Sequence, residues 1–133
     1  MDQACAERIR SVFATIHGPA FDGDTELSTG IEVGVIEAGI ALDTPTFILL
    51  TPWTINGLAF PPDQRFPVAL EIDGATRPVY SIERSMLGPY RAVNLAPLGS
   101  HFPSAVHARH FAERGAPKFR RAVEEARAIL AIL

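Results

Sequence analysis

Apolar residues open the chain at Cys5, Ile9, Val12, Phe13 and Ile16, spaced i, i+4, i+7, i+8 and i+11 along one helical face. Asp2 stands at the expected N-cap, and Gly18-Pro19 stops the helix. Residues 19–30 are turn-rich and acidic and read as a loop. Ile31, Val33 and Val35 then alternate with Glu32 and Gly34, the period of a half-buried strand. Leu42-Asp43-Thr44-Pro45 turns the chain into Phe47–Leu50, a run apolar on both faces that predicts a central strand. Ile55–Phe60 follows beyond a Thr51-Pro52-Trp53 corner. Alternation resumes at Val68, Leu70 and Ile72. Asp73-Gly74 tolerates positive φ at both positions and predicts a hairpin, and Pro78 pushes the return strand Thr76–Ile82 towards an edge. Gly88-Pro89 precedes a last strand, Tyr90–Ala96, ended by Pro97.

The remainder is helical. Ser104 is a candidate N-cap for a helix ending at Gly115. Pro117 suits the first turn of a second helix, with Phe119, Val123, Ala126, Leu130 and Leu133 on one face. Arg120/Glu124 and Arg121/Glu125 are i,i+4 pairs. This order predicts one α+β domain spanning residues 1–133: an antiparallel sheet of five to six strands, one N-terminal helix and two C-terminal helices, with one sheet face covered.

From Thr44 to Pro62 there is no charge, in a chain of 133 residues that is 20% charged. The length approaches that of a membrane span, which needs roughly 20 apolar residues in one helix. Prolines at 45, 52, 61 and 62 exclude that reading, because each removes a backbone donor and costs about 3 kcal/mol inside a helix. A net charge of −3 and a pI near 5.8 argue against nucleic acid as a partner. Lys118, Arg120, Arg121 and Arg127 are interleaved with Glu124 and Glu125 and read as a solvated, self-paired face. Cys5 is the lone cysteine, so no disulfide, zinc knuckle or iron–sulfur site is built within the chain; on the apolar stripe it reads as a structural thiol. The N-terminus lacks a basic region followed by an apolar run, which implies no signal peptide and a cytoplasmic location.

Candidate chemistry is sparse. His107 and His110 share a helix flank with Glu113, and with His101 they make a weak candidate set for zinc or nickel; the competing reading is a solvated polar face. His17 sits at a helix stop, where the dipole favours positive charge. Nucleophile elbow and phosphate-loop motifs are absent, and Asp22-Gly23-Asp24 lacks the rest of a calcium loop. The residues therefore predict no catalysis and no cofactor. Attention falls on Pro52, Trp53, Ile55, Leu58, Phe60, Pro61 and Pro62. Tryptophan is enriched at interface hot spots, and large apolar side chains are worth about 1.5–3 kcal/mol each when buried. The competing reading is that these side chains fill the core, which is the expectation for Ile55, Leu58 and Phe60; Trp53, Pro61 and Pro62 are the members expected within reach of a partner.

LLTPWTINGLAFPPDQRFP (49–67) and YRAVNLAPL (90–98) resemble the HybE/HupJ-type assembly chaperones of nickel–iron hydrogenases, with the highest specificity at Thr51-Pro52-Trp53. The resemblance implies a non-enzymatic, cytoplasmic chaperone that binds an immature hydrogenase subunit, large or small, without a cofactor of its own. With the apolar surface around the Thr51-Pro52-Trp53 corner as the site, the expected partner-binding residues are Thr51, Pro52, Trp53, Phe60, Pro61, Pro62 and Pro97. Two features depart from the family. Ala92, Val93 and Asn94 stand where relatives often carry Cys-Ser-Leu, and the CxxC pairs of rubredoxin-fused relatives are missing. A metal-handling accessory protein using His101, His107 and His110, and a small-molecule binding module, are the alternatives.

Overall fold

The structure, a computed structural model, describes residues 3–17, 33–51, 54–97 and 104–132. The Asp2 cap, the Gly18-Pro19 stop, the 19–30 loop and the start of the strand expected from Ile31 lie outside these residues. Helix α1 (Gln3–His17) is followed by strands β1 (Gly34–Ala41), β2 (Thr44–Leu50), β3 (Thr54–Ala59), β4 (Ala69–Ile72), β5 (Ala75–Arg84) and β6 (Gly88–Pro97), then helix α2 (Ala105–Ile132). The strands form one six-stranded sheet in the order β1-β2-β3-β6-β5-β4, and every pairing is antiparallel. The α+β class and the strand number agree with the sequence pattern.

Two expectations are corrected. The sheet is covered on both faces rather than one. In β2, Phe47 and Leu49 join Ile9, Phe13, Leu58 and Tyr90 on the α1 side, while Ile48 and Leu50 join Ile55, Val93, Phe119 and Val123 on the α2 side. A strand apolar on both faces requires this, since each face would otherwise expose its alternate side chains to water. The C-terminal region is also one helix of 28 residues, not two. Ala108, Ala112, Ala116, Phe119 and Val123 form one continuous buried stripe through the Gly115–Pro117 region. Burial along that stripe outweighs the Pro117 penalty. Pro117 and Glu113 are exposed, so water can solvate the Glu113 carbonyl that loses its i+4 donor.

The sheet curls around α2, which contacts both outer strands, β1 and β4, as well as β2 and β3. Gly57 permits the closest approach: a Cβ there would lie 2.5 Å from the Phe119 ring. Gly39, at the β1 bulge and φ 112°, lies under Arg120 in the same way. The Asp73-Gly74 hairpin has φ of 55° and 80°, as its residues predict. Pro78 marks a changeover within β5. Ala75–Pro78 pairs with β4 and Val79–Arg84 with β6, so its missing N–H falls between two ladders.

Candidate functional site

The connection between β2 and β3 is tied at its base. The Thr51 N–H donates to the Thr54 carbonyl (3.0 Å), the Thr51 hydroxyl donates to the same oxygen (3.1 Å), and the Thr54 N–H donates to the Thr51 hydroxyl (3.1 Å). Thr51 is only 2% exposed. Buried in this way, its hydroxyl acts as a local bracket that, with the Thr51 N–H, engages both the N–H and the carbonyl of Thr54. Pro52 and Trp53 themselves lie outside the described residues. The Asn56 carboxamide extends the bracket by donating to the Thr54 hydroxyl (3.1 Å). Register places Thr54 opposite Pro97 and Asn56 opposite Asn94, so Pro97 of β6 borders the same corner.

Phe60, Pro61 and Pro62 belong to the other end of β3, about 20 Å away at roughly 3.3 Å per strand residue. The Phe60 ring lies 5.7 Å from that of Phe47, edge-on, and 5.3 Å from that of Tyr90, and its N–H donates to the Pro45 carbonyl (3.0 Å). Phe60 thus packs against the α1-side core. Pro61 is buried, contrary to the expectation that it is reachable; Pro62 is exposed. The described members of the predicted partner-binding set therefore divide between two ends of the sheet. Thr51 and Pro97 are linked through Thr54 at one end, while Phe60 and Pro61 contribute to packing at the other.

Ser104 takes the capping role that the sequence predicts for it. Ser104 Oγ lies 2.7 Å from His107 Nδ1 and accepts the His107 N–H at 3.4 Å, which makes Ser104 the cap of α2. His107, His110 and Glu113 are all exposed. Among the described residues, no three of His, Cys, Asp and Glu gather as metal ligands; His101 lies outside them.

Sequence reading missed the most constrained polar group. Arg127, assigned to a solvated face, is 6% exposed. Its Nε and Nη2 donate to the two Asp43 carboxylate oxygens at 3.0 and 2.6 Å, and its Nη1 donates to Asp63 Oδ1 (2.7 Å) and to the Arg65 carbonyl (2.5 Å). Arg65 returns a bond to the Leu130 carbonyl (3.1 Å). The Arg127 hydrogen bonds, with that of Thr44, hold Asp43 down at about 2; Arg127 and the Arg65 N–H lower Asp63; the two carboxylates raise Arg127. The available signal was positional, because Arg127 continues the i+4 series from Phe119 and Val123. The node joins α2 to the β1–β2 turn and to the loop before β4. That loop is further held by Arg91, which donates to the Gln64 carbonyl (2.8 Å) and side-chain oxygen (3.2 Å). At the opposite edge of the sheet, Lys118 pairs with Asp73 of the β4–β5 turn (2.8 Å) and lowers its carboxyl pKa.

These elements define an α+β domain whose curled sheet grips one long helix and carries a bracketed corner at one end. No helix among the described residues is long and apolar enough to cross a membrane. No family model and no curated protein matches the sequence. The solution structure of HybE from Escherichia coli is similar, with a TM-score of 0.63 at 17% identity, over 91% of this chain and 77% of HybE. The fold is HybE-like.

Proposed function

We propose that this protein is a non-enzymatic assembly chaperone that holds an immature nickel–iron hydrogenase subunit before cofactor insertion and complex formation are complete. One coincidence carries the reading. The chain has a HybE-like fold over 91% of its length, and its 49–67 segment, which resembles the chaperone signature, supplies the end of β2, the bracketed corner, β3 and most of the loop before β4. The client contacts the corner. Trp53 is its anchor, Pro52 and Pro97 are flanking apolar contacts, and the Thr51–Thr54 bracket keeps the corner preorganised, which lowers the ordering cost of binding. Phe60 packs against the core from a half-buried position, Pro61 is buried, and Pro62 is a separate, exposed position. Binding takes place in the cytoplasm.

The test is co-expression of the tagged protein with untagged large- or small-subunit precursor. The unsubstituted chain is expected to co-purify one of the two. Trp53→Ala should abolish co-purification while leaving the circular dichroism spectrum and melting of the free protein intact. Loss of folding in Trp53→Ala would assign Trp53 to the core and overturn this site; capture of neither precursor would overturn the function.

A further inference from the structure

A cleft of about 260 Å³ separates the middle of α2 from strands β4, β5 and β6. On the helix side, Phe111, Arg114, Gly115 and Lys118 recur at i, i+3, i+4 and i+7, so one face of α2 lines it. On the sheet side its walls are Ile72, Arg77 and Leu95. Gly115 keeps it open: even a Cβ at this position would be 3.9 Å from Leu95 Cδ1, and any longer side chain would enter the space.

Its chemistry is two-sided. Ile72, Leu95 and Phe111 supply an apolar lining, while Arg77, Arg114 and Lys118 supply three cations. One acid, Asp73, offsets them, and it is engaged by Lys118 at 2.8 Å. Arg77 uses Nη1 to reach the Asn94 carbonyl (3.3 Å), which leaves other guanidinium donors for a ligand. Arg114 is exposed and makes no ion pair with any described residue. The cleft is thus locally positive in a chain of net charge −3. Size and surroundings narrow the ligand. Sites for small molecules run from about 300 to 1,000 Å³, so this volume suits one large side chain better than a whole metabolite. Glu71 and Glu125 line the adjoining groove and interrupt any continuous basic track of the kind a nucleic-acid backbone follows.

We infer that this cleft is a socket for a peptide segment of a partner protein in which one large apolar side chain lies between acidic residues. The apolar side chain enters between Phe111 and Leu95, and the flanking carboxylates meet Arg77 and Arg114, which bind them in the forked geometry guanidinium favours. The inference rests on the reading that the natural ligand is a protein chain, and it adds the chemistry of a second contact, remote from Trp53 in the sequence.

The experiment is fluorescence anisotropy of the full chain with three labelled peptides sharing a Gly/Ser frame around Glu-Phe-Glu, Lys-Phe-Lys or Glu-Ser-Glu. Glu-Phe-Glu should saturate below about 1 mM, and both controls should bind at least about tenfold more weakly. Arg77→Glu with Arg114→Glu should weaken Glu-Phe-Glu by about tenfold or more, and added salt should weaken it as well. Gly115→Leu fills the cleft without changing charge and should abolish binding, with circular dichroism verifying the fold of each variant; Arg114→Glu alone, at an exposed position, is the fallback. Trp53→Ala should leave peptide binding unchanged. If precursor capture fails while these results hold, the chaperone reading falls and the socket stands. Equal binding of Lys-Phe-Lys, full binding by folded Gly115→Leu, no saturation, or Arg-dependent binding that is tighter to single-stranded DNA or anionic vesicles would overturn the inference.

Discussion

Arg127, buried near the end of α2, grips both oxygens of Asp43 in the β1–β2 turn across 84 positions of sequence. Leu42, the residue before Asp43 in this two-residue hairpin loop, has φ 59°, a left-handed conformation that such loops require and that a leucine adopts only at a cost of about 1–2 kcal/mol. Arg127→Met should lower the free energy of unfolding by about 2–4 kcal/mol. It removes charge-assisted bonds and leaves the Arg65 carbonyl without its guanidinium donor. Arg121→Ala, on the exposed side of the same helix, should stay within about 0.5 kcal/mol. Urea unfolding of the two variants compares them directly; equal stability would show that the Arg127 node holds nothing.

The same node sets an acid response. Asp43 is held at about 2, below its ordinary 3.8, so its contribution is fully present above pH 3.8 and is lost as pH falls towards 2. Asp63 and Asp73 shift in the same direction and add to the loss. Asp43→Asn should therefore show a shallower fall in melting temperature between about pH 4 and pH 2, and the two proteins should approach one another at the acid end. The effect is modest because the Asp43 side chain is half exposed and screened by solvent. Parallel melting curves across that window would contradict the assignment.

Much of the fold was legible because β-strand periodicity and turn chemistry act locally. The Asp73-Gly74 hairpin, the Phe47–Leu50 central strand and the Ser104 cap each follow from a few adjacent residues. The errors arose where tertiary contacts outweighed local preference. Gly115 and Pro117 together read as a break, yet a buried stripe from Ala108 to Val123 runs through them. Arg127 read as surface because its type is polar, although its position lies on that stripe. Of the candidate site, the Thr51 corner was visible as a corner, but its distance from Phe60 and Pro61 depends on strand direction, which composition does not carry.

Pro117 offers a test of that balance. Pro117→Ala restores an N–H for the Glu113 carbonyl at an exposed position and removes the ring's clash with the preceding turn. The variant should gain about 1–2 kcal/mol, less than the full helix-interior penalty because the unfolded chain also gains freedom. If α2 were two helices with Pro117 in a first turn, the substitution would instead be neutral or destabilising. Chemical denaturation separates the outcomes.

Gly57 and Phe119 should behave as a coupled pair. Gly57→Ala drives a methyl group into a ring 2.5 Å away and should destabilise by about 3 kcal/mol, while Phe119→Ala should cost about 3–5 kcal/mol through its cavity. In the double variant the methyl occupies part of the vacated space, so its loss should fall short of the sum by at least about 1 kcal/mol. Strict additivity would mean that the sheet, not the ring, absorbs the strain.

Thr51→Val and Thr51→Ser separate the bracket from the volume it occupies. Valine fills the same buried space but has no hydroxyl, so the Thr54 N–H loses its Thr51 acceptor and the Thr54 carbonyl loses one of two donors. Stability should fall by about 1–2 kcal/mol, and amide exchange at Thr54 should accelerate. Serine keeps the hydroxyl and loses a methyl; it should retain slow exchange at Thr54 despite some loss of packing. On the proposed function, precursor capture should follow the exchange rate and not the melting temperature: weakened in Thr51→Val and retained in Thr51→Ser. Capture that instead tracks melting temperature would reduce the Thr51 bracket to a stabilising element with no part in presenting the corner.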